Sequence, residues 1–227
     1  EPAPTPSLQL GDTAELERTK TDERIAARYL ALGDSYTIGE GVPESGRWPV
    51  QLARSLRNDG IPMSDPRIIA QTGWTTDELD AAIDTALVFP EYDLVSLLIG
   101  VNNQYRGRDI EEYRAQFSGL LERTIHFAQD RRDRVLVLSI PDWGVTTFAR
   151  GLARDTQKVA AEIDVFNAVA LETCMRRGVV FVDITDASRQ RGAELEMLVD
   201  DGLHPSALMY AEWARLALPA VQTMQAN

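Results

Sequence analysis

From Arg28 onward, short apolar runs alternate with longer stretches in which apolar side chains recur every three or four positions. Successive strand and helix units around a parallel sheet produce that alternation. The short runs Tyr29–Leu32, Arg67–Ala70, Leu94–Ile99, Val135–Ile140 and Val179–Val182 predict five strands, each apolar enough to be covered on both faces. Ile110, Tyr113, Phe117, Leu120, Leu121 and Thr124 predict a helix with one face on the sheet, opened by Asp109 and Glu112. Thr75 and Glu78 have the spacing of a capping box, which starts another helix and leaves Gly73 and Trp74 in the loop ahead of it. A last helix begins near Ser206 and carries Leu208, Met209, Trp213, Leu216 and Ala217.

No internal repeat interrupts this pattern. The expected architecture is one α/β domain over residues 23–227, a three-layer α/β/α fold around a doubly wound, five-stranded parallel sheet. Residues 1–22, with Pro2, Pro4 and Pro6, are expected to form an extended tether. In open parallel sheets, ligands bind outside the carboxyl ends of the strands. Gly33-Asp34-Ser35 follows the first strand, Gly73 the second, and Gly100-Val101-Asn102-Asn103 the third. His204 precedes the last helix and can reach the same edge.

Composition removes several function classes. With 35 acidic against 23 basic residues and a net charge of -12, the chain on average repels phosphate backbones, so nucleic acid is not an expected partner. No apolar run approaches the roughly 20 residues of a membrane-spanning helix, and the chain reads as soluble. Two histidines and one cysteine, all far apart, match no zinc spacing, so no metal is expected. Cys174 lies at helical spacing with Val159, Ile163, Phe166 and Ala170, which marks a core residue. Lys20 and Lys158 are the only lysines, and neither follows a glycine-rich loop, which excludes phosphate loops built on a Gly-Lys step. The numbering starts at Glu1 without a Met, so removal of an upstream segment is expected. A secretory signal, a lipoprotein leader and a cloning boundary all fit, leaving secreted, periplasmic and cytoplasmic locations open.

The residues at the ligand edge form a coherent chemical set. A serine hydroxyl needs a base to become a nucleophile, and Ser35 after a strand has one candidate in His204. Asp201, three residues before His204, can fix the tautomer of the imidazole and stabilise its charged form. Pro205 keeps His204 out of helical geometry. Donors for an oxyanion are available from the amides of Ser35 and Gly73 and the carboxamide of Asn102. Taken singly, Ser35 is also an ordinary helix cap, Gly73 a loop glycine and Asn102 a turn residue. Their joint occurrence at one sheet edge favours a single site with nucleophile, base, orienter and oxyanion donors.

These residues resemble the blocks of the SGNH, or GDSL-type, hydrolase family. Gly33-Asp34-Ser35-Tyr36 resembles the first block with its nucleophilic serine, and Gly73 stands where the second supplies its glycine. Gly100-Val101-Asn102-Asn103 resembles the third, whose Asn lies in the oxyanion hole, while Asp201-Gly-Leu-His204 matches the block with the catalytic Asp and His. The likeness spans about Arg28 to Ala217. It implies a flavodoxin-like fold and hydrolysis of esters or thioesters without a cofactor. Two positions depart from the family pattern. Tyr36 stands where Leu is common and alters packing beside the nucleophile. Asn103 stands where Asp is usual and removes a negative charge that helps to brace the turn.

Tyr36, Trp74, Asn103, Tyr105, Trp143 and Phe148 are candidates for a substrate pocket. His126, inside a predicted helix between Ile125 and Phe127, is expected to be structural. Gly39, Gly41 and Gly46 suit either a flexible lid or surface turns, and Asp183 and Asp186 are expected to cap the segment after the fifth strand. The set predicts a serine esterase for small esters, with short acyl chains as the default. Thioesterase, lysophospholipase, carbohydrate deacetylase and acyltransferase activities use the same chemistry. A non-catalytic sugar- or nucleotide-binding module is the alternative of a different class. The oligomeric state is not encoded in any pattern found.

Overall fold

A computed structural model describes residues 26–152 and 154–226. The expected tether over residues 1–22 lies outside the described residues. Five strands form one sheet: β1 (Tyr29–Gly33), β2 (Arg67–Ala70), β3 (Leu94–Leu98), β4 (Val135–Leu138) and β5 (Val180–Val182). Their order is β2-β1-β3-β4-β5, and every pairing is parallel. Leu32 sits opposite Ile69 on one side and Leu97 on the other, which aligns the carboxyl ends of the first three strands. This is the doubly wound parallel sheet expected from the apolar runs, in the three-layer, flavodoxin-like arrangement that the resemblance implies.

Among the described residues, nine α-helices connect and cover the strands: α1 (Ser35–Ile38), α2 (Trp48–Asn58), α3 (Thr76–Thr85), α4 (Val101–Tyr105), α5 (Ile110–Phe127), α6 (Thr147–Gly151), α7 (Thr156–Arg177), α8 (Thr185–Arg191) and α9 (Ala207–Ala226). Helices α2 and α9 pack on each other in one layer, and α3, α5 and α7 form the other. Asp109 caps α5 by accepting from the amides of Glu111 and Glu112. The Thr75 amide donates to Glu78 at 2.9 Å at the start of α3, as the capping-box spacing requires. Among the described residues, no helix is long and apolar enough to cross a membrane.

The expectation that all five strands are covered on both faces holds only for β1, β3 and β4. In β2 only Ile69 is buried, and β5 is half-buried throughout. Both lie at an edge of the sheet, where the second neighbour and part of the helical cover are missing. Two strands also end earlier than their apolar runs. The Ile140 amide donates to Asn167 Oδ1 at 2.7 Å and its carbonyl accepts from Asn167 Nδ2 at 3.0 Å, so a side chain of α7 takes the place of the strand ladder. Ile99 likewise leaves the ladder, its carbonyl accepting from the Tyr113 hydroxyl at 3.3 Å. Trp48, Trp213, Tyr29, Tyr113, Tyr210 and Phe117 are fully buried between the layers. Cys174 is buried among them, and that burial pushes its thiol up to about 12, so it stays protonated at neutral pH.

Candidate active site

Gly33 ends β1 where no side chain fits: a Cβ there would stand 2.2 Å from Thr37 Oγ1 and 2.5 Å from the Leu98 carbonyl. The chain can therefore turn at once into α1. Asp34 caps that short helix by accepting from the Tyr36 amide at 3.0 Å, and Ser35 is held at its first position with 5% of its surface exposed.

His204 arrives from the far end of the chain in a loop that braces itself. Asp201 Oδ1 accepts from the amides of Leu203 and His204 at 2.8 and 2.9 Å. Asp201 Oδ2 lies 2.5 Å from His204 Nδ1. With a carboxylate there, the ring proton belongs on Nδ1, which leaves the Nε2 lone pair free to accept a proton. Burial raises the carboxyl pKa of Asp201, but hydrogen bonds from the His204 ring and from the two amides outweigh it and hold the group below the ordinary carboxylate range. The loop is tied to α6 through the Gly202 carbonyl, which accepts from the Phe148 amide at 3.0 Å and the Thr147 hydroxyl at 3.1 Å. The Tyr36 ring lies 5.9 Å from the His204 ring and 5.8 Å from that of Trp213, so it fills the space between the histidine and the core.

The third side of the site is built by α4. Gly73 has φ +89, a left-handed conformation that favours glycine, and it precedes the capping box of α3. Asn102 Nδ2 donates to the Trp74 carbonyl at 2.9 Å, which uses one of its two protons and leaves the other. Asn103 is fully buried and grips the start of α3: its Oδ1 accepts from the Thr76 amide at 3.1 Å and its Nδ2 donates to the Thr76 hydroxyl at 2.7 Å. The neutral amide thus supplies a donor as well as an acceptor, which an aspartate could not. Arg106 completes the tie by donating to the Gly73 carbonyl at 2.6 Å and to Glu78 at 3.1 Å. The Thr75 amide, followed by Arg106, holds the Glu78 carboxyl below its ordinary range.

Ser35, Gly73, Asn102 and His204 all line one cavity of about 210 Å³. Tyr36, Tyr105, Trp143 and Phe148 also line it, as do Thr72, Val101 and Leu203. Trp74 and Asn103 do not, the first half-buried against the core and the second occupied with Thr76. Thr72, Val101 and Leu203 were not singled out by sequence, although each is adjacent to a motif residue, and that adjacency is the only signal they carry. Ser35 Oγ makes no hydrogen bond with His204 in this structure; such contacts commonly tighten only once substrate is seated. His126 is exposed on α5 with Nδ1 3.3 Å from Asp130, remote from the cavity. Asp183 accepts from the Thr185 amide at 2.8 Å just ahead of α8, whereas Asp186 lies inside the first turn of that helix, whose cap position is Ile184. Among the described residues, no group of three His, Cys, Asp or Glu side chains is gathered to hold a metal.

The model of the GDSL-like Lipase/Acylhydrolase family matches residues 31–212, from within β1 into α9. The chain belongs to this family. Solved structures with the same fold include a lipase/acylhydrolase from Enterococcus faecalis, 22% identical, covering 86% of this chain and 96% of its own, with a TM-score of 0.63. An acetyl-xylooligosaccharide esterase from Geobacillus is 19% identical over 86% of this chain and 94% of its own, with a TM-score of 0.65. A psychrotrophic esterase from Pseudoalteromonas sp., inhibited by monoethylphosphonate, is 14% identical over 88% of this chain and 100% of its own, with a TM-score of 0.63. No curated protein sequence matches the chain.

As a member of the GDSL-like hydrolases, the chain keeps the acid of its Gly-Asp-Ser step in an unusual state. Asp34 is fully buried and its Oδ2 has no hydrogen-bond partner, and burial pushes the carboxyl up to about 7 despite the opposing Tyr36 amide. A folded pKa raised from 3.8 favours folding fully below the unfolded value, and the benefit is lost as pH rises through about 7. A carboxyl moved from 3.8 to about 7 corresponds to about 4 kcal/mol. Asp34→Asn keeps the acceptor for Tyr36 and removes the titration. Its unfolding free energy relative to wild type is therefore expected to rise between pH 4 and pH 8 by about that amount. Urea titrations at both pH values measure the difference, and a constant difference would show that Asp34 is ionised without penalty.

Proposed function

We propose that the protein is a serine esterase that hydrolyses carboxylic esters of short acyl chains. Ser35 attacks the acyl carbonyl, His204 takes its proton and returns it to the leaving alcohol, and Asp201 orients the imidazole and stabilises its charged form. The acyl-enzyme on Ser35 is released by water, with His204 again acting first as base and then as acid. The amides of Ser35 and Gly73 and the free proton of Asn102 Nδ2 receive the oxyanion in both halves of the reaction.

The reading rests on one observation: Ser35, His204, Gly73 and Asn102 share a single cavity, and His204 is bonded to Asp201 at 2.5 Å. A volume of about 210 Å³ favours small acyl groups over long chains. The test is modification of the wild type with a fluorophosphonate, followed by peptide mapping, alongside turnover of p-nitrophenyl esters of increasing chain length. A single adduct on Ser35 and rates that fall beyond the shorter esters are expected. An adduct elsewhere, or none together with no turnover, would overturn the proposal and favour a binding module.

Arg106 acts in this scheme as a positioning residue for the Gly73 donor, because it holds the Gly73 carbonyl at 2.6 Å. Losing an oxyanion donor costs roughly 100-fold to 1,000-fold, and loosening one a part of that, so Arg106→Ala is expected to lower kcat by about tenfold. KM should change little, and added guanidinium ion should restore part of the rate. A fall in thermal stability without a fall in kcat would assign Arg106 to structure alone.

A further inference from the structure

Beside the catalytic cavity lies a second one of about 320 Å³, lined by Gln104, Tyr105, Gly107, Arg154, Lys158 and Glu162, together with Asp155. Tyr105 lines both cavities. With Trp143 it makes an aromatic wall, the two rings meeting edge-on at 5.3 Å. The wall is fixed from behind: Trp143 Nε1 donates to Gln104 Oε1 at 2.8 Å, and Gln104 Nε2 donates to Glu162 Oε2 at 2.7 Å. Arg154 lies over this wall, its guanidinium carbon 4.5 Å from the centre of the Tyr105 ring and 5.5 Å from that of Trp143.

The acids of the second cavity are already engaged. Asp155 caps α7 by accepting from the amides of Gln157 and Lys158 at 3.0 and 3.2 Å. Glu162 holds Gln104 with one oxygen, and Lys158 Nζ stands 3.8 Å from the other. Arg154 is different: among the described residues its guanidinium has ring contacts but no hydrogen bond and no ion pair. In a chain with 35 acidic and 23 basic side chains, acidic partners are plentiful, yet among the described residues this arginine takes none of them. Contact with the rings leaves the guanidinium N–H groups without a partner among the described residues, and a guanidinium edge receives a carboxylate or phosphate through two parallel hydrogen bonds.

We infer that Arg154 and the cavity beyond Tyr105 form a subsite for an anionic group, carboxylate or phosphate, carried by the ester substrate. This rests on the esterase reading above and narrows it to esters with a second, charged end. The scissile carbonyl sits at Ser35, the chain leading from it passes Tyr105, and the charged end meets Arg154. The acyl part or the alcohol part can carry the charge, and the two are separable by experiment.

Two substrate pairs make the test. Mono-p-nitrophenyl glutarate against p-nitrophenyl pentanoate places the carboxylate on the acyl side; 4-carboxyphenyl acetate against phenyl acetate places it on the leaving group. The readout is the ratio of kcat/KM for the anionic over the neutral member, compared between enzymes so that intrinsic reactivity cancels. In one of the pairs, wild type is expected to exceed Arg154→Gln in that ratio by about tenfold, the scale of a charge-assisted hydrogen bond at a partly exposed site. Arg154→Lys should keep part of the difference, and added salt should shrink it. An equal ratio in wild type and Arg154→Gln for both pairs overturns the subsite while leaving esterase activity standing. Hydrolysis of none of the four esters overturns both.

Discussion

Ser35→Ala is expected to abolish turnover of p-nitrophenyl acetate, lowering kcat by roughly 10⁵- to 10⁶-fold, the scale found when a nucleophilic serine is removed from such a constellation. The substitution removes one oxygen from a residue that is 5% exposed, and the cap that shapes its turn comes from Asp34, so α1 should survive. What is lost is the hydroxyl that forms the acyl-enzyme in the proposed mechanism. His204 and the oxyanion donors stay in place and can still assist direct attack by water, which accounts for a residual rate above the uncatalysed reaction. Full activity in the variant, measured by p-nitrophenolate release, would contradict the assignment of the nucleophile.

Asp201→Asn should follow with a fall of about 10⁴ in kcat and little change in KM. Asp201 Oδ2 accepts from His204 Nδ1 at 2.5 Å, whereas an amide nitrogen at that position would call for an acceptor and turn the imidazole to the other tautomer. The Nε2 lone pair that the proposed mechanism uses as base would then be lost. In the wild type, the hydrogen bonds that hold the Asp201 carboxyl below the ordinary range carry a pH signature. A depressed folded pKa contributes stability above the unfolded value, and that contribution is lost as pH falls through the folded one. Asp201 therefore stays ionised in mild acid, and its effect on kcat should persist there. A variant in which kcat falls less than tenfold at pH 7 would remove Asp201 from the orienting role.

The parts of the molecule that were legible in sequence are those whose signals are local. The apolar runs mark the strand interiors because a strand covered by helices on both faces has no polar positions to spare. Which strands lie at the edge depends on the order β2-β1-β3-β4-β5, which no run encodes, and so the partial exposure of β2 and β5 had to come from the structure. The overlong fourth strand has a similar cause, since Asn167, 27 residues away, satisfies the Ile140 peptide.

The same distinction holds at the site. Gly33-Asp34-Ser35 and Asp201 with His204 are short-range patterns and stood out. Asn102 and Asn103 are chemically alike in sequence; only the fold shows that the first faces the cavity and the second is buried against Thr76. Arg106 and Arg154 are two of many surface arginines until their partners, the Gly73 carbonyl and the rings of Tyr105 and Trp143, are known.

The proton-handling half and the oxyanion half of the cavity are also assembled over different lengths of chain. Asp201 and His204 meet across three residues, so their pairing closes almost no loop, although the loop that carries them is anchored to α6 through the Gly202 carbonyl. The clamps on the oxyanion loop, Asn102 to Trp74 and Arg106 to Gly73, span 28 and 33 residues and require β3 and α3 to be docked first. In the proposed mechanism, a short graft carrying Asp201 and His204 would therefore need only the α6 anchor of its loop supplied with it, whereas the oxyanion half is a property of the assembled sheet and cannot be moved without it.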